Sequence, residues 1–319
     1  MKKLTANLLP ALVLAALACA CAHGQTPANP RPAREVAVTV DDLPAQWGDL
    51  AVMREITPKL LDSFRRHGVP AVGFVNEGKL FVRGEVDERT ELLRAWLDAG
   101  HELGNHTFSH ILIDRHPLAA YQEDVIRGET VTRMLLAERG RKLRYFRHTQ
   151  LRTGPTAEYK RGLAEFLAAR GYTVAPVTVD NQEWVFAHVY ARAKERRDAE
   201  TARRVAAEYV RYMEEVFDFF EKLSAESLGY EVKQTLLLHA NELNADHFDA
   251  LAAMMKRRGY TFITLERALT DPAYALPDAQ DKQGISWLNR WRLAKGQPMR
   301  PEPREPAWVA ELFRAGRRD

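Results

Sequence analysis

Arg66-His67-Gly68, running into Ala71-Val72-Gly73-Phe74-Val75, is the stretch from which the fold is read. Glycine is favoured just past a helix end because it takes positive φ without a steric clash, and the β-branched and aromatic residues that follow suit a buried strand. The same order of amphipathic segment, glycine and short apolar run recurs at Gly100, Gly140, Gly171 and Gly259. Helices alternating with strands imply a mostly parallel sheet. About seven such units predict an α/β fold, a distorted (β/α) barrel closed or nearly closed on itself. Pro58 after Thr57 and Pro117 after His116 are read as first-turn residues, where a missing N–H does no harm, and so as helix starts.

Between Val189 and Leu228 the alternation gives way to an Ala/Arg/Glu-rich stretch with Val205, Tyr209, Met213, Val216 and Phe220 at helical spacing, read as a helical insertion packed on the barrel. The catalytic barrel is expected over 35–270, with 271–319 a Pro- and Trp-containing tail on its surface. At the other end, Lys2 and Lys3 precede an apolar run from Leu8 to Ala18, and Ala20-Cys21-Ala22 offers a small-x-small cleavage site. A run of about a dozen residues is too short to span a bilayer. Residues 1–22 therefore read as a secretory signal and 23–34 as a linker, with the product periplasmic or secreted. Both cysteines, Cys19 and Cys21, fall in the leader, so the barrel has no disulfide, thiol nucleophile or thiolate ligand. A lipid anchor on either cysteine is the weaker alternative to simple cleavage. The 46 basic and 43 acidic residues are interspersed, giving a net charge of +3 and no basic stripe to suggest a nucleic-acid partner.

Four groups fall just after expected strands, which in a parallel barrel puts them on the rim where loops build an active site. Asp41-Asp42 ends the run Val36 to Val40; at a strand end the chain turns and both carboxylates can reach one mouth. Taken alone, the pair is more readily a helix cap or turn former. His106-Thr107-Phe108-Ser109-His110 follows Glu102 to Asn105; in a helical turn residues four apart share a face, so both imidazoles can hold one ion. Two histidines at a strand end, together with Asp41-Asp42, make an open three-ligand site. His239 ends Thr235 to Leu238. Arg147 follows Tyr145-Phe146, and Asp180 with Trp184 follows Val177 to Val179. There is no His-Glu-x-x-His, Gly-x-Ser-x-Gly, phosphate loop or dinucleotide fingerprint.

In order and spacing, Thr39 to Asp42, His106 to His110, the segment from Arg147, Asp180 to Trp184 and Leu236 to His239 resemble the five motifs of the polysaccharide deacetylases, the NodB-homology domain or carbohydrate esterase family four. The resemblance spans Val36 to Leu269. It implies that Asp41 is the general base, that Asp42, His106 and His110 hold one divalent cation, with zinc the expected ion, and that His239 is the general acid. Arg147 would steady Asp41, and Asp180 would steady His239. The implied activity is removal of acetyl groups, N-acetyl first, from a cell-envelope or extracellular glycan; Trp184, His148 and Gln150 are the residues expected at the substrate, His148 through a hydrogen bond at the rim that the family itself does not predict. Two departures stand out. Val40 replaces the family's usual Phe, and the Arg-x-Pro-Tyr pattern is here Arg147-His148-Thr149-Gln150. The second, together with the insertion between Val189 and Leu228, keeps open a hydrolase of a non-sugar amide on the same scaffold. A non-catalytic carbohydrate-binding protein is the third reading, opposed by the presence of Asp41, the three ligand candidates and His239 together.

Overall fold

A computed structural model describes residues 34–316. The signal read at 1–22, both cysteines and the linker up to residue 33 lie outside the described residues, and Arg34 opens the first strand. Seven strands, β1 (Arg34–Leu43), β2 (Val72–Val75), β3 (Glu102–Asn105), β4 (Tyr145–Phe146), β5 (Thr173–Val174), β6 (Gln234–His239) and β7 (Tyr260–Phe262), form one sheet in the order β5-β4-β3-β2-β1-β6. Every pairing is parallel, and β7 pairs with the start of β1, Arg34 opposite Tyr260. The chain after β5 curls the sheet round. The Ala175 N–H still donates to Phe146 O at 2.8 Å, yet the Thr178 N–H donates to Thr235 O at 3.1 Å and Leu237 N–H to Val179 O at 3.2 Å. Residues 173–179 thus tie one sheet edge to the other, the distorted barrel expected from the sequence. The strand foreseen at Val177–Val179 is reduced to a single bridge between Val179 and Leu236.

The connecting helices are α1 (Leu50–His67), α2 (Val86–Asp98), α3 (Leu118–Arg127), α4 (Thr130–Ala137), α5 (Ala157–Ala169), α6 (Glu183–Glu195), α7 (Ala199–Leu228), α8 (Glu242–Arg257) and α9 (Leu265–Ala268), followed by α10 (Trp287–Ala294) and α11 (Ala307–Gly316). Gly68 ends α1 at φ 68°, its N–H reaching Phe64 O and Arg65 O. Nothing lies within 4 Å of where a Cβ would stand, so it is the backbone angle that calls for glycine. Pro117 directly precedes α3. Pro58 does not start a helix: α1 begins eight residues earlier, with Asp49 as its cap, accepting from Val52 N–H at 3.1 Å. Pro58 is exposed, and the carbonyl left without its N–H belongs to exposed Arg54, where water can replace the bond.

α6 and α7 form a helical pair, and α7 buries Val205, Tyr209, Met213, Val216 and Phe220 completely. The C-terminal segment packs against the barrel through α10, where Arg290 and Trp291 are each 1% exposed or less, while most of its other described residues stay at least partly exposed. Because all strands run parallel, the ends of β1, β2, β3 and β6 open on one rim, where Asp41-Asp42, Asn76, His106 and His239 lie.

Candidate metal and acid–base site

β1 ends in a left-handed residue, Asp42 at φ 70°. That reversal of the alternating pleat turns both Asp41 and Asp42 into the cleft. Lys79, from the turn after β2, holds the kink: its ammonium donates to Asp42 O at 3.1 Å, Ala45 O at 2.9 Å and Gln46 O at 3.4 Å, and stands 3.7 Å from Asp42 Oδ1. No signal in the sequence singled out Lys79, because its partners are carbonyls more than thirty positions away.

The two histidines after β3 are brought together by a loop and not by the helical turn that their spacing suggested. Thr107 at φ 66° and His110 at φ 52° fold the loop tightly, and the imidazole centroids lie 4.9 Å apart. Its polar groups are met by named partners: Asn105 Oδ1 accepts from Thr107 N–H (2.7 Å), Thr107 Oγ1 from His110 N–H (3.1 Å), and Asp124 Oδ2 from Ser109 N–H (2.9 Å). Gly128 underlies it so closely that a Cβ would stand 2.5 Å from the Thr107 carbonyl carbon. His106 Nε2 and His110 Nε2 stand 3.7 and 3.6 Å from Asp42 Oδ1.

Ligand atoms of Asp42, His106 and His110 all lie within 4.8 Å of one another. Asp42 Oδ1 is buried without a hydrogen-bond partner, and burial pulls both histidines down to about 4, against the opposing pull of Asp42, so each has a lone pair to offer at neutral pH. Burial opposes ionisation of Asp42, but Lys79 and the neighbouring imidazoles outweigh it and hold that carboxyl well below its usual range. One carboxylate oxygen and two neutral imidazoles facing one point suit a divalent cation such as zinc.

Asp41 is 2% exposed; burial raises its pKa, with Arg147, whose Nε is 3.6 Å from Oδ1, pulling the other way. Arg147 is itself anchored by a 2.5 Å hydrogen bond from Nη2 to Thr39 Oγ1. Asp41 and His239 are paired across β1 and β6. Here a residue missed in the sequence enters: the partner of His239 Nδ1 is Glu183, at 2.8 Å. Glu183 is wholly buried at the start of α6, its other oxygen accepting from Asn241 and from Asn244 Nδ2. Burial works against a charged His239, but Glu183, Asp42 and Asp41 outweigh it and lift the imidazole to about 9. Asp180, expected in that role, instead accepts from Asn181 N–H at 2.8 Å and lies against Glu302; burial, then the Glu302 carboxyl, raise it well above the usual range. Glu183 lies within the motif from Asp180 to Trp184, three residues beyond Asp180 and at the start of α6.

A cleft of about 420 Å³ is lined by Asp41, Asp42, His106, His110, Asp180, Trp184 and His239, with Gln150, Leu151 and Gly284 forming part of its wall. Trp184 is 36% exposed there, with an edge contact to Phe313 at 5.2 Å. His148, read as a rim residue, turns away: it packs edge-on against Phe146 and lines a separate 210 Å³ cavity with Thr153, Lys160 and Trp287. Gln150 faces His110, its Nε2 3.0 Å from Nδ1.

The model of the polysaccharide deacetylase family matches residues 28–175. A peptidoglycan-N-acetylglucosamine deacetylase of Bacillus cereus is 26% identical over 151 residues, 47% of this chain and 46% of that protein. A chitooligosaccharide deacetylase of a Bradyrhizobium species is 31% identical over 100 residues, 31% of this chain and 39% of that protein. The chain spans less than half the length of these curated relatives. Among solved structures, a peptidoglycan deacetylase from Bacillus subtilis superposes with a TM-score of 0.46 at 20% identity, covering 75% of this chain and 92% of that one. Over residues 28–175, a little under half of its length, the chain is similar to the polysaccharide deacetylase family.

Proposed function

We propose that this protein is a divalent-metal-dependent deacetylase that hydrolyses the acetamide of an N-acetylated glycan outside the cytoplasm. The observation that carries the reading is the convergence, in one cleft, of three ligand candidates, a carboxylate beside an arginine, and a charged imidazole. Asp42, His106 and His110 would hold the cation, which when bound polarises an acyl carbonyl and makes a water more acidic. Asp41, raised by burial and with Oδ1 free of hydrogen bonds, accepts the proton of the attacking water. His239, charged at neutral pH through Glu183, gives a proton to the departing amine, a poor leaving group until protonated. Arg147 keeps Asp41 in place, and Trp184 offers an apolar face to a sugar ring. Acetate and a free amino sugar are the products, and the leader read at residues 1–22 would bring the enzyme to such a substrate.

The turn at Arg147-His148-Thr149-Gln150, with Gly284 walling the cleft beside it, favours a second reading, hydrolysis of a smaller non-sugar amide. One experiment separates the two. Acetate release by the full chain is measured on acetylated glycan oligomers and on simple acetamides, with chelator, with added zinc, and with Asp41→Asn. Zinc-restored release from the glycans, abolished in the variant, is the expected result. A folded, zinc-loaded protein inert on every glycan would overturn the glycan assignment.

A further inference from the structure

Gln150 at φ 49° and Leu151 at φ 55° are consecutive left-handed residues, a conformation that L side chains take only at an energetic cost. Such a backbone persists where its surroundings over-determine it. The C-terminal segment does so here. Arg290, fully buried, donates from Nη2 to Leu151 O at 2.8 Å and from Nη1 to Thr153 Oγ1 at 3.3 Å. Gly284 lies so close that an added Cβ would stand 1.9 Å from Gln150 O. The outcome of this restraint is that the Gln150 amide is aimed at His110.

The two ends of that amide differ in what they can do. Its nitrogen stands 3.0 Å from His110 Nδ1, while its oxygen is buried with no partner. A half-turn of the amide exchanges the two, and only the hydrogen-bond network decides between them. With nitrogen toward the ring, Nδ1 must be the acceptor, which puts the ring proton on Nε2, pointing at the cluster. With oxygen toward the ring, Nδ1 is the donor and the Nε2 lone pair faces Asp42. His106 shows which is required: its Nδ1 lies 2.9 Å from Arg147 O, a backbone carbonyl that can only accept, so its proton is fixed on Nδ1 and its Nε2 is free.

We infer that Gln150 is a positioning residue of the metal centre: its amide oxygen accepts the Nδ1–H of His110 and locks the tautomer whose Nε2 binds the cation. Arg290 and Gly284 hold it in that place. His106 and His110 are then matched, each oriented through Nδ1 by an acceptor, one from the main chain and one from a side chain. Gln150, expected at the substrate, acts through His110. The inference rests on the metal reading proposed above.

The test is equilibrium zinc affinity, by competition with a chromophoric chelator, for the wild-type full chain, Gln150→Leu and Gln150→Glu. Gln150→Leu should weaken zinc by roughly 10- to 100-fold, the usual effect of removing a ligand's orienting partner. Gln150→Glu, which keeps an acceptor oxygen, should bind at least as tightly as wild type. Equal affinity in Gln150→Leu and wild type, or equal losses in both variants, would overturn the inference. Wild type that binds no zinc removes the metal reading itself, a distinct result. Nitrogen-15 NMR of the zinc-loaded wild type needs no variant to fold: His110 should carry its proton on Nδ1, and a proton on Nε2 refutes the assignment.

Discussion

Three imidazoles face one cleft, and their surroundings drive them in opposite directions. On the β1–β3 side, the Nδ1 atoms of His106 and His110 face neutral partners, a backbone carbonyl and an amide, and desolvation outweighs the pull of the Asp42 carboxylate on Nε2 and brings both rings down to about 4, even though His110 keeps about a third of its side chain exposed. On the β6 side, His239 is buried too, but against the Glu183 carboxylate, which with Asp41 and Asp42 lifts it to about 9. The contrast teaches that burial alone does not set the role of a histidine here. A neutral second partner makes a ligand, and a charged one makes a proton donor.

The largest effect should come from the ligand corner. Asp42→Ala removes the one anionic ligand and should cost about 1,000-fold or more in kcat/KM, several kcal/mol of charge stabilisation, along with stoichiometric zinc. Zinc binding at wild-type strength in that variant would remove Asp42 from the site. On the donor side, His239→Ala should lower kcat on the order of 100- to 10,000-fold while zinc stays bound. Loss of zinc in this variant would erase the division between the two corners.

A finer probe is Glu183→Gln. His239 must carry its proton to donate it, so the rate falls as pH rises through its pKa. Neutralising Glu183 lowers that pKa, and the alkaline limb of the pH profile should move to lower pH by about one unit or more. Asp180→Asn, which leaves the hydrogen bond to His239 intact, should shift that limb less; the reverse ranking would restore Asp180 to the partner role. The smallest effect is expected at Tyr209→Phe in α7, whose hydroxyl donates to Asn244 Oδ1 at 2.7 Å. Loss of that buried bond should lower stability by about 1–2 kcal/mol, seen in urea unfolding, with kcat changed little.

What was legible in the sequence was local. A glycine at a helix end and the β-branched run after it announce their conformation within a few residues, as at Gly68 and β2. Asp41-Asp42 and the two histidines were legible as strand-end groups, although the loop joining His106 to His110 is shaped by left-handed residues that the spacing alone does not reveal. What stayed hidden depends on distant contacts. Glu183 meets His239 across 56 positions and Arg290 meets Leu151 across 139, so neither role exists until the barrel closes. The 271–319 segment reads as a tail because its polar residues look solvated, whereas Arg290 is buried by spending its donors on Leu151 O, Thr153 Oγ1, Ala279 O and Gln283 O.

The most direct measurement is an NMR titration of the histidine rings in the metal-free full chain, assigned by single His→Gln variants. The account predicts His106 and His110 neutral at pH 7, titrating near 4, and His239 protonated at pH 7, losing its proton near 9. All three titrating together near the ordinary value of about 6.5 would contradict it.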